Sequence, residues 1–207
     1  MNINGSSIAF IGLGEAASTI ISGWGNNRAN QIQAFDIKLQ SDHTKEEIIA
    51  RASKLNIQIK FSLKELIRDA DLIFSTVTAD QALTVAKKVS MHLKKGSFFF
   101  DLNSCAPSSK QEACENIQIF DGRYVDVAVM APVSAKKHLV PLMISGDKAF
   151  QARAILEKLP MDVKIIEGPV GRASSIKMVR SIMVKGLEAL TAECTLAAVE
   201  ADVLDEV

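Results

Sequence analysis

The chain has 207 residues, 48% of them hydrophobic, and its 24 lysines and arginines balance its 24 aspartates and glutamates. That length accommodates one full domain and part of a second, the apolar share supports a globular core, and the lack of a basic block argues against a nucleic-acid partner. Three cysteines without a C-x-x-C pair and three scattered histidines give no metal-ligand spacing. No basic segment leading into an apolar stretch opens the chain, and no apolar run is long enough to span a bilayer, so a cytoplasmic protein without a membrane partner is expected.

Residues 7–11 are a short apolar run that reads as a strand. Gly12, Leu13, Gly14, Glu15, Ala16 and Ala17 follow, and residues 18–21 continue as a helix towards Gly23, Trp24 and Gly25. The spacing is G-x-G-x-x-A. Gly12 permits a sharp turn, Gly14 lets a pyrophosphate approach the backbone, and small Ala17 lets helix pack on strand. The helix start offers free N–H groups and a positive dipole end to phosphates, and the acid Glu15 suits that end. Residues 31–36 form a second strand ending in Asp36, 22 residues after Gly14. A carboxylate there bonds the adenosine ribose hydroxyls and repels a 2′-phosphate. The expected cofactor is therefore NAD, with NADP kept open by Lys38.

Further on, strands alternate with helices. A helix is expected over residues 44–55, a strand over 57–61, and a helix from the capping box at Ser62 and Glu65. Residues 71–76 form a strand, 79–95 a helix ended by Gly96, and 97–101 a continuously apolar strand, as in a parallel sheet covered on both faces. Pro107 opens a helix to residue 116. Strands at 124–130 and 142–145, a helix at 147–159 and a last strand at 163–167 complete the pattern. The fold expected is α/β, a doubly wound, mostly parallel sheet over residues 1–168. From residue 169 the character changes. Ile176, Val179, Met183, Leu187 and Leu190 recur at helical spacing, so one long helix or two open an all-α region over 169–207. It ends without a capping signal, and further helices are expected beyond it.

Several stretches together resemble the β-hydroxyacid dehydrogenases, the group that includes 6-phosphogluconate and 3-hydroxyisobutyrate dehydrogenases, in a divergent branch. The glycine loop resembles their cofactor loop. Val77 and Thr78 stand where the family covers the cofactor's ribose and nicotinamide side. Asp101-Leu102-Asn103-Ser104-Cys105-Ala106-Pro107 resembles its D-x-S-T-x-x-P loop near the nicotinamide. The strand ending at Met130 resembles its substrate strand, and residues 168–177 resemble its G-x-x-G-x-G-x-x-x-K segment, with the catalytic lysine at Lys177. The resemblance implies cofactor contacts from Val77, Thr78 and Asn103, substrate contacts from Ser104, Met130 and Ala131, and a homodimer formed through the helical region. The departures are informative. Met130, Ala131 and Pro132 replace the Ser-Gly-Gly that grips a substrate carboxylate, and Ser181 replaces the usual Asn four residues after the lysine.

An alcohol dehydrogenation needs a hydride acceptor and a base for the hydroxyl proton. Lys177 is the expected base. Arg180, about one turn on, is expected to lower the affinity of Lys177 for its proton or to bind a substrate anion, and Ser181 to bond the reacting oxygen. By helical spacing alone Lys177 and Arg180 also read as a solvated cationic stripe. Asp101 and Asp126 read as structural, Cys105 as a buried small residue, and His138 as a surface-loop residue. The expectation is an NAD(P)-dependent oxidoreductase acting on a small hydroxy acid. The alternatives are imine or ketone reduction on the same fold, and a non-catalytic NAD-binding domain.

Overall fold

Among the described residues, eight strands pair into one sheet: β1 (Ile8–Ile11), β2 (Ile32–Phe35), β3 (Gln58–Ile59), β4 (Leu72–Ser75), β5 (Phe98–Asp101), β6 (Arg123–Val129), β7 (Leu142–Ser145) and β8 (Val163–Ile165). This computed structural model describes residues 5–25 and 31–207; residues 1–4, part of the opening stretch read above as carrying no leader, lie outside the described residues. The spatial order is β3-β2-β1-β4-β5-β6-β7-β8. Neighbours run parallel except β6 and β7. The order therefore reverses between β1 and β4, and that reversal opens a crevice at the strands' carboxyl ends.

The helices are α1 (Glu15–Trp24), α2 (Asp42–Lys54), α3 (Leu63–Ile67), α4 (Ala82–Ser90), α5 (Pro107–Ile119), α6 (Val133–Lys136), α7 (Ala149–Leu156) and α8 (Arg172–Glu200). Right-handed crossovers on either side of the reversal place helices on both faces of the sheet. The expected SFFFD strand shows why both faces must be covered. Phe98 and Phe100 point one way and Phe99 the other, since side chains alternate along a strand, and all three are buried. On one face Phe10, Phe74 and Phe100 are register partners across β1, β4 and β5. Their rings stack at 5.0 and 4.8 Å, and Trp24 of α1 meets Phe74 edge-on at 5.9 Å. On the other face Phe99 stacks on Tyr124 at 5.7 Å.

Element boundaries differ from expectation where tertiary contacts override the local pattern. The helix expected over 79–95 is α4, nine residues long. Past it the chain turns back so that the Gly96 N–H donates to the Asp121 carbonyl at 2.8 Å, and β5 enters at its proper level. Ser62 caps α3 as expected, its hydroxyl accepting from the Glu65 N–H at 3.2 Å, but the helix is only five residues long. His138 is the larger correction. It sits not on a free surface loop but half-buried against α1, where a Cβ on Gly23 would collide with its ring. The segment between β6 and β7 thus folds across the sheet onto α1.

Helix α8 has 29 residues, a length of about 43 Å at 1.5 Å per residue. Its first turn packs on the sheet through buried Ala173 and Ser174, whereas Val179, Ile182, Met183, Leu187 and Leu190 are exposed. No helix among the described residues is long and apolar enough to cross a membrane.

The stacked phenylalanines give a direct test of this core. Phe74→Ala removes a ring packed on three aromatic neighbours. It is expected to cost about 3–5 kcal/mol, read as a lowered urea midpoint with an unchanged slope.

Candidate functional site

The site is built at the carboxyl ends of β1, β2, β4, β5 and β6. Gly12 ends β1 at φ +85°, and a Cβ there would lie 2.6 Å from the Thr76 carbonyl oxygen. Only glycine accepts both the backbone angle and the approach. The Gly12 N–H donates to Phe35 O at 2.8 Å, and the Thr76 hydroxyl donates to Gly12 O at 2.9 Å. One glycine thereby ties together the ends of three strands. Helix α1 then starts with Gly14 as its N-cap, in extended conformation and without a side-chain cap. A Cβ on Gly14 would meet nothing within 4 Å. No side chain caps the first turn, and the space beside Gly14 is open, which leaves the room that a pyrophosphate requires at a helix start. Glu15 is exposed beside it and Ala17 is buried beneath it.

Asp36 is buried at the end of β2, and its two oxygens accept from the Leu13 N–H at 2.8 Å and the Lys38 N–H at 2.9 Å. A carboxylate has about four acceptor positions, so lone pairs are left for ribose hydroxyls. A residue the sequence gave no reason to select lies close by. Arg51 of α2 donates to the Leu13 carbonyl at 2.6 Å and to Glu47 at 2.5 Å. The peptide groups on either side of Leu13 are thus held, the Leu13 N–H by Asp36 and the Leu13 carbonyl by Arg51. From sequence alone Arg51 and Glu47 form an ordinary i,i+4 surface pair.

Across the crevice, Asn103 braces two loops. Its side-chain oxygen accepts from the Val77 N–H at 2.7 Å, and its amide donates to Ser75 Oγ at 3.0 Å. The Asn103 side chain is buried, so its bonds hold the Val77 loop in place. Thr78 lies beside Val77 and its hydroxyl bonds the Asp80 carboxylate. Ser104, one residue on, is exposed and accepts from Lys177 Nζ at 2.6 Å. Lys177 lies six residues past Gly171, a rise of about 9 Å, which lifts its amine to the level of the loop after β5.

Burial, then the nearby Lys110 ammonium, push the Lys177 pKa below that of an ordinary lysine. Arg180, expected to supply this effect, instead donates to the Met130 carbonyl at 3.1 Å. Ser181 is half-buried further along the same helix, and Ala131 is exposed beside Met130. Met130 holds its loop to β7 by donating its N–H to Pro141 O at 2.9 Å. Cys105 is buried, and burial with the Asp101 carboxylate pushes its thiol up, away from the thiolate a nucleophile needs.

Behind Lys177 lies a buried charge network. Lys110 is fully buried and donates to the Asp101 carbonyl at 2.7 Å and the Val127 carbonyl at 3.3 Å, with Asp126 Oδ1 at 3.1 Å and Asp101 Oδ1 at 3.5 Å. The Tyr124 hydroxyl donates to Asp101 at 2.6 Å; burial and that carboxylate hold its pKa well above the usual value, so it stays a neutral donor. Asp126 accepts from the N–H groups of Gly171 and Ser174, each at 3.1 Å, and from the hydroxyls of Ser174 at 2.6 Å and Ser145 at 3.0 Å. Burial opposes its charge, but Lys110 and Ser174 outweigh that and hold its pKa below the usual carboxylate value.

A strand–glycine turn–helix with a carboxylate closing the second strand, on a sheet ordered β3-β2-β1-β4-β5-β6 through its first six strands, defines a Rossmann-type dinucleotide-binding domain. The chain belongs to the family of the NAD binding domain of 6-phosphogluconate dehydrogenase, which matches residues 7–166. It is 32% identical over 199 residues to an uncharacterised Methanothermus fervidus protein from the 7S RNA 5′ region, covering 96% of this chain and 73% of that protein. Among solved structures, a conserved hypothetical protein from Sinorhizobium meliloti is 34% identical with a TM-score of 0.82, covering 97% of this chain and 67% of its own. A conserved protein described as structurally similar to 3-hydroxyacid dehydrogenases is 27% identical with a TM-score of 0.75, covering 97% and 72%. At 19% and 17% identity the fold alone is shared with Mycobacterium tuberculosis 3-hydroxyisobutyrate dehydrogenase and a Myxococcus stipitatus imine reductase bound to NADP+, with TM-scores of 0.77 and 0.78.

The two loop glycines should separate on substitution. Gly12→Ala meets both a positive φ and the Thr76 carbonyl, and is expected to cost about 1–3 kcal/mol or more. Gly14→Ala meets open space and is expected to change stability by less than about 1 kcal/mol, while weakening NADH binding at least tenfold. Urea unfolding and nicotinamide fluorescence titration read the two effects.

Proposed function

We propose that this chain carries the cofactor site and the proton-handling lysine of an NAD(P)-dependent oxidoreductase that interconverts a small hydroxy acid and its carbonyl. The observation that carries this reading is the Lys177 amine, 2.6 Å from Ser104 Oγ at the crevice edge, with its pKa lowered by burial and by Lys110. Gly12, Leu13, Gly14, Glu15 and Ala16 would hold the pyrophosphate at the start of α1, Asp36 the adenosine ribose, and the loop of Val77, Thr78 and Asn103 the nicotinamide side. The cofactor supplies the hydride acceptor when bound.

In the oxidation direction the carbinol C–H leaves with its electron pair as hydride, and the O–H proton passes to Lys177 Nζ. Ser104 orients that amine. Ser181 and Arg180 lie further along the same helix, and Ser104, Met130 and Ala131 border the space left for substrate. The carboxyl grip of better-known relatives is weakened here, because Pro132 has no N–H, Met130 has no hydroxyl and the Met130 N–H is already donated to Pro141 O. That observation favours imine or ketone reduction as the second reading. The exposed apolar side chains of α8 support a homodimer formed through the helical region.

Asp36 favours NAD, so NADH is expected to bind at least tenfold more tightly than NADPH; the reverse order would mean that Arg51 or Lys38 outweighs the carboxylate. Lys177→Ala is expected to abolish turnover of hydroxy acids while leaving NADH affinity within twofold, and full activity in that variant would remove Lys177 from the mechanism. Turnover of a cyclic imine with no hydroxy acid accepted would select the second reading. A base must be unprotonated, so oxidation should rise with pH through the lowered pKa of Lys177. Its midpoint therefore falls below that of an ordinary lysine.

A further inference from the structure

The geometry points to Lys110 as a buried positioning residue for Lys177: through Asp126 it seats the first turn of α8, and through the Asp101 carbonyl it steadies the loop that carries Ser104, the partner of the Lys177 amine. The inference rests on the reading of Lys177 as the proton-handling group. Lys110 is the residue that the cofactor and substrate contacts leave unexplained. It is a lysine with no exposed surface, and burying an ammonium is costly unless every donor is matched. Here its donors meet two strand-end carbonyls, of Asp101 and Val127, and the carboxylate of Asp126. An apolar side chain would fill this volume without that cost.

Position explains its presence. Asp126 takes two backbone N–H groups and one hydroxyl from the first turn of α8, at Gly171 and Ser174. Ser174 is three residues before Lys177 and therefore on a neighbouring row of the same helix. Lys110 is thus joined to Lys177 by one carboxylate and one helical turn on one side. On the other side it is joined by the Asp101 carbonyl, which begins the loop that carries Ser104. Among the described residues, the charged group that acts on Lys177 is Lys110 of α5, and Lys110 in turn sits against the carboxylates of Asp101 on β5 and Asp126 on β6. The two carboxylates accept hydrogen bonds from partners of their own, Tyr124 and Asn103 on Asp101, and Ser145 with the α8 amides on Asp126. The lowered pKa of Lys177, with Lys110 as its charged contributor, agrees with this arrangement.

The test reads Lys177 directly and needs no substrate. Competitive acetylation of the chain with acetic anhydride across pH, followed by peptide mass spectrometry, gives the apparent pKa of each lysine. Lys177 is expected below the surface lysines in the native protein. Lys110→Met keeps most of the volume of the side chain and removes its charge and donors. The Lys177 midpoint should then rise by one unit or more, a tenfold fall in the free amine at a fixed pH below both midpoints, with NADH binding at the glycine loop retained. If the methionine variant does not fold, Lys110→Gln, which keeps a donor for the carbonyls, carries the same comparison. An unchanged Lys177 midpoint in a folded variant would overturn the proposal. Since labelling does not read turnover, the inference can fail while Lys177 remains catalytic, and can hold while Lys177 proves not to be.

Discussion

Asp126 accepts four hydrogen bonds from two separate segments, β7 and the start of α8, while sitting beside a buried ammonium from a third, α5. Remove it and the amides at the start of α8 lose their acceptor, Lys110 loses the nearer of its two carboxylates and keeps only Asp101 at 3.5 Å, and the Ser145 hydroxyl loses its partner on β6. Truncating one partner of such a buried pair costs about 3–5 kcal/mol in other proteins, because the surviving charge is stranded. The placement of Lys177 over the crevice follows from this one carboxylate, since the first turn of the helix that carries the lysine is anchored to it.

A second anchor works at the opposite end of the crevice. Asp36 holds the Leu13 N–H, Arg51 holds the Leu13 carbonyl, and Thr76 holds the carbonyl of Gly12. The glycine loop is therefore fixed before any ligand arrives. A loop held in its binding shape loses little conformational entropy when it binds. The presence of one anion and one cation around Leu13 also makes the adenosine end of the site electrically mixed.

The alternation of strands and helices, the glycine turn, the serine cap at Ser62 and the buried SFFFD strand were legible because each rests on local chemistry: apolar periodicity, a positive φ, a side-chain acceptor at an N-cap. Lys177 and Ser104 were legible through family resemblance rather than spacing, and the chain brings them together. Lys110 was not legible. In the sequence it is a lysine on an ordinary helix after Pro107, and only the register of β5 and β6, which sets Asp101 opposite Asp126, shows why an ammonium belongs there. Arg51 was hidden for the same reason, its partner lying 38 residues away. The bond from Arg180 to the Met130 carbonyl was hidden because a helical row says which side chains are neighbours, not which carbonyl one of them will reach.

The reversal at β7 has a consequence for the path of the chain. β6 ends at the crevice, and β7 descends beside it from Leu142 to Ser145, with β8 following in the same downward sense. The chain therefore leaves the sheet below the crevice rather than above it. α8 starts level with Asp126 and climbs past the strand ends, so that Lys177 passes the cofactor side on the way up. Had the last two strands kept the direction of the first six, the same helix would have departed from the top and run downwards, carrying its lysine away from the nicotinamide edge. One antiparallel pairing thus decides on which side of the molecule the long helix emerges, and with it where any further helices can be hung.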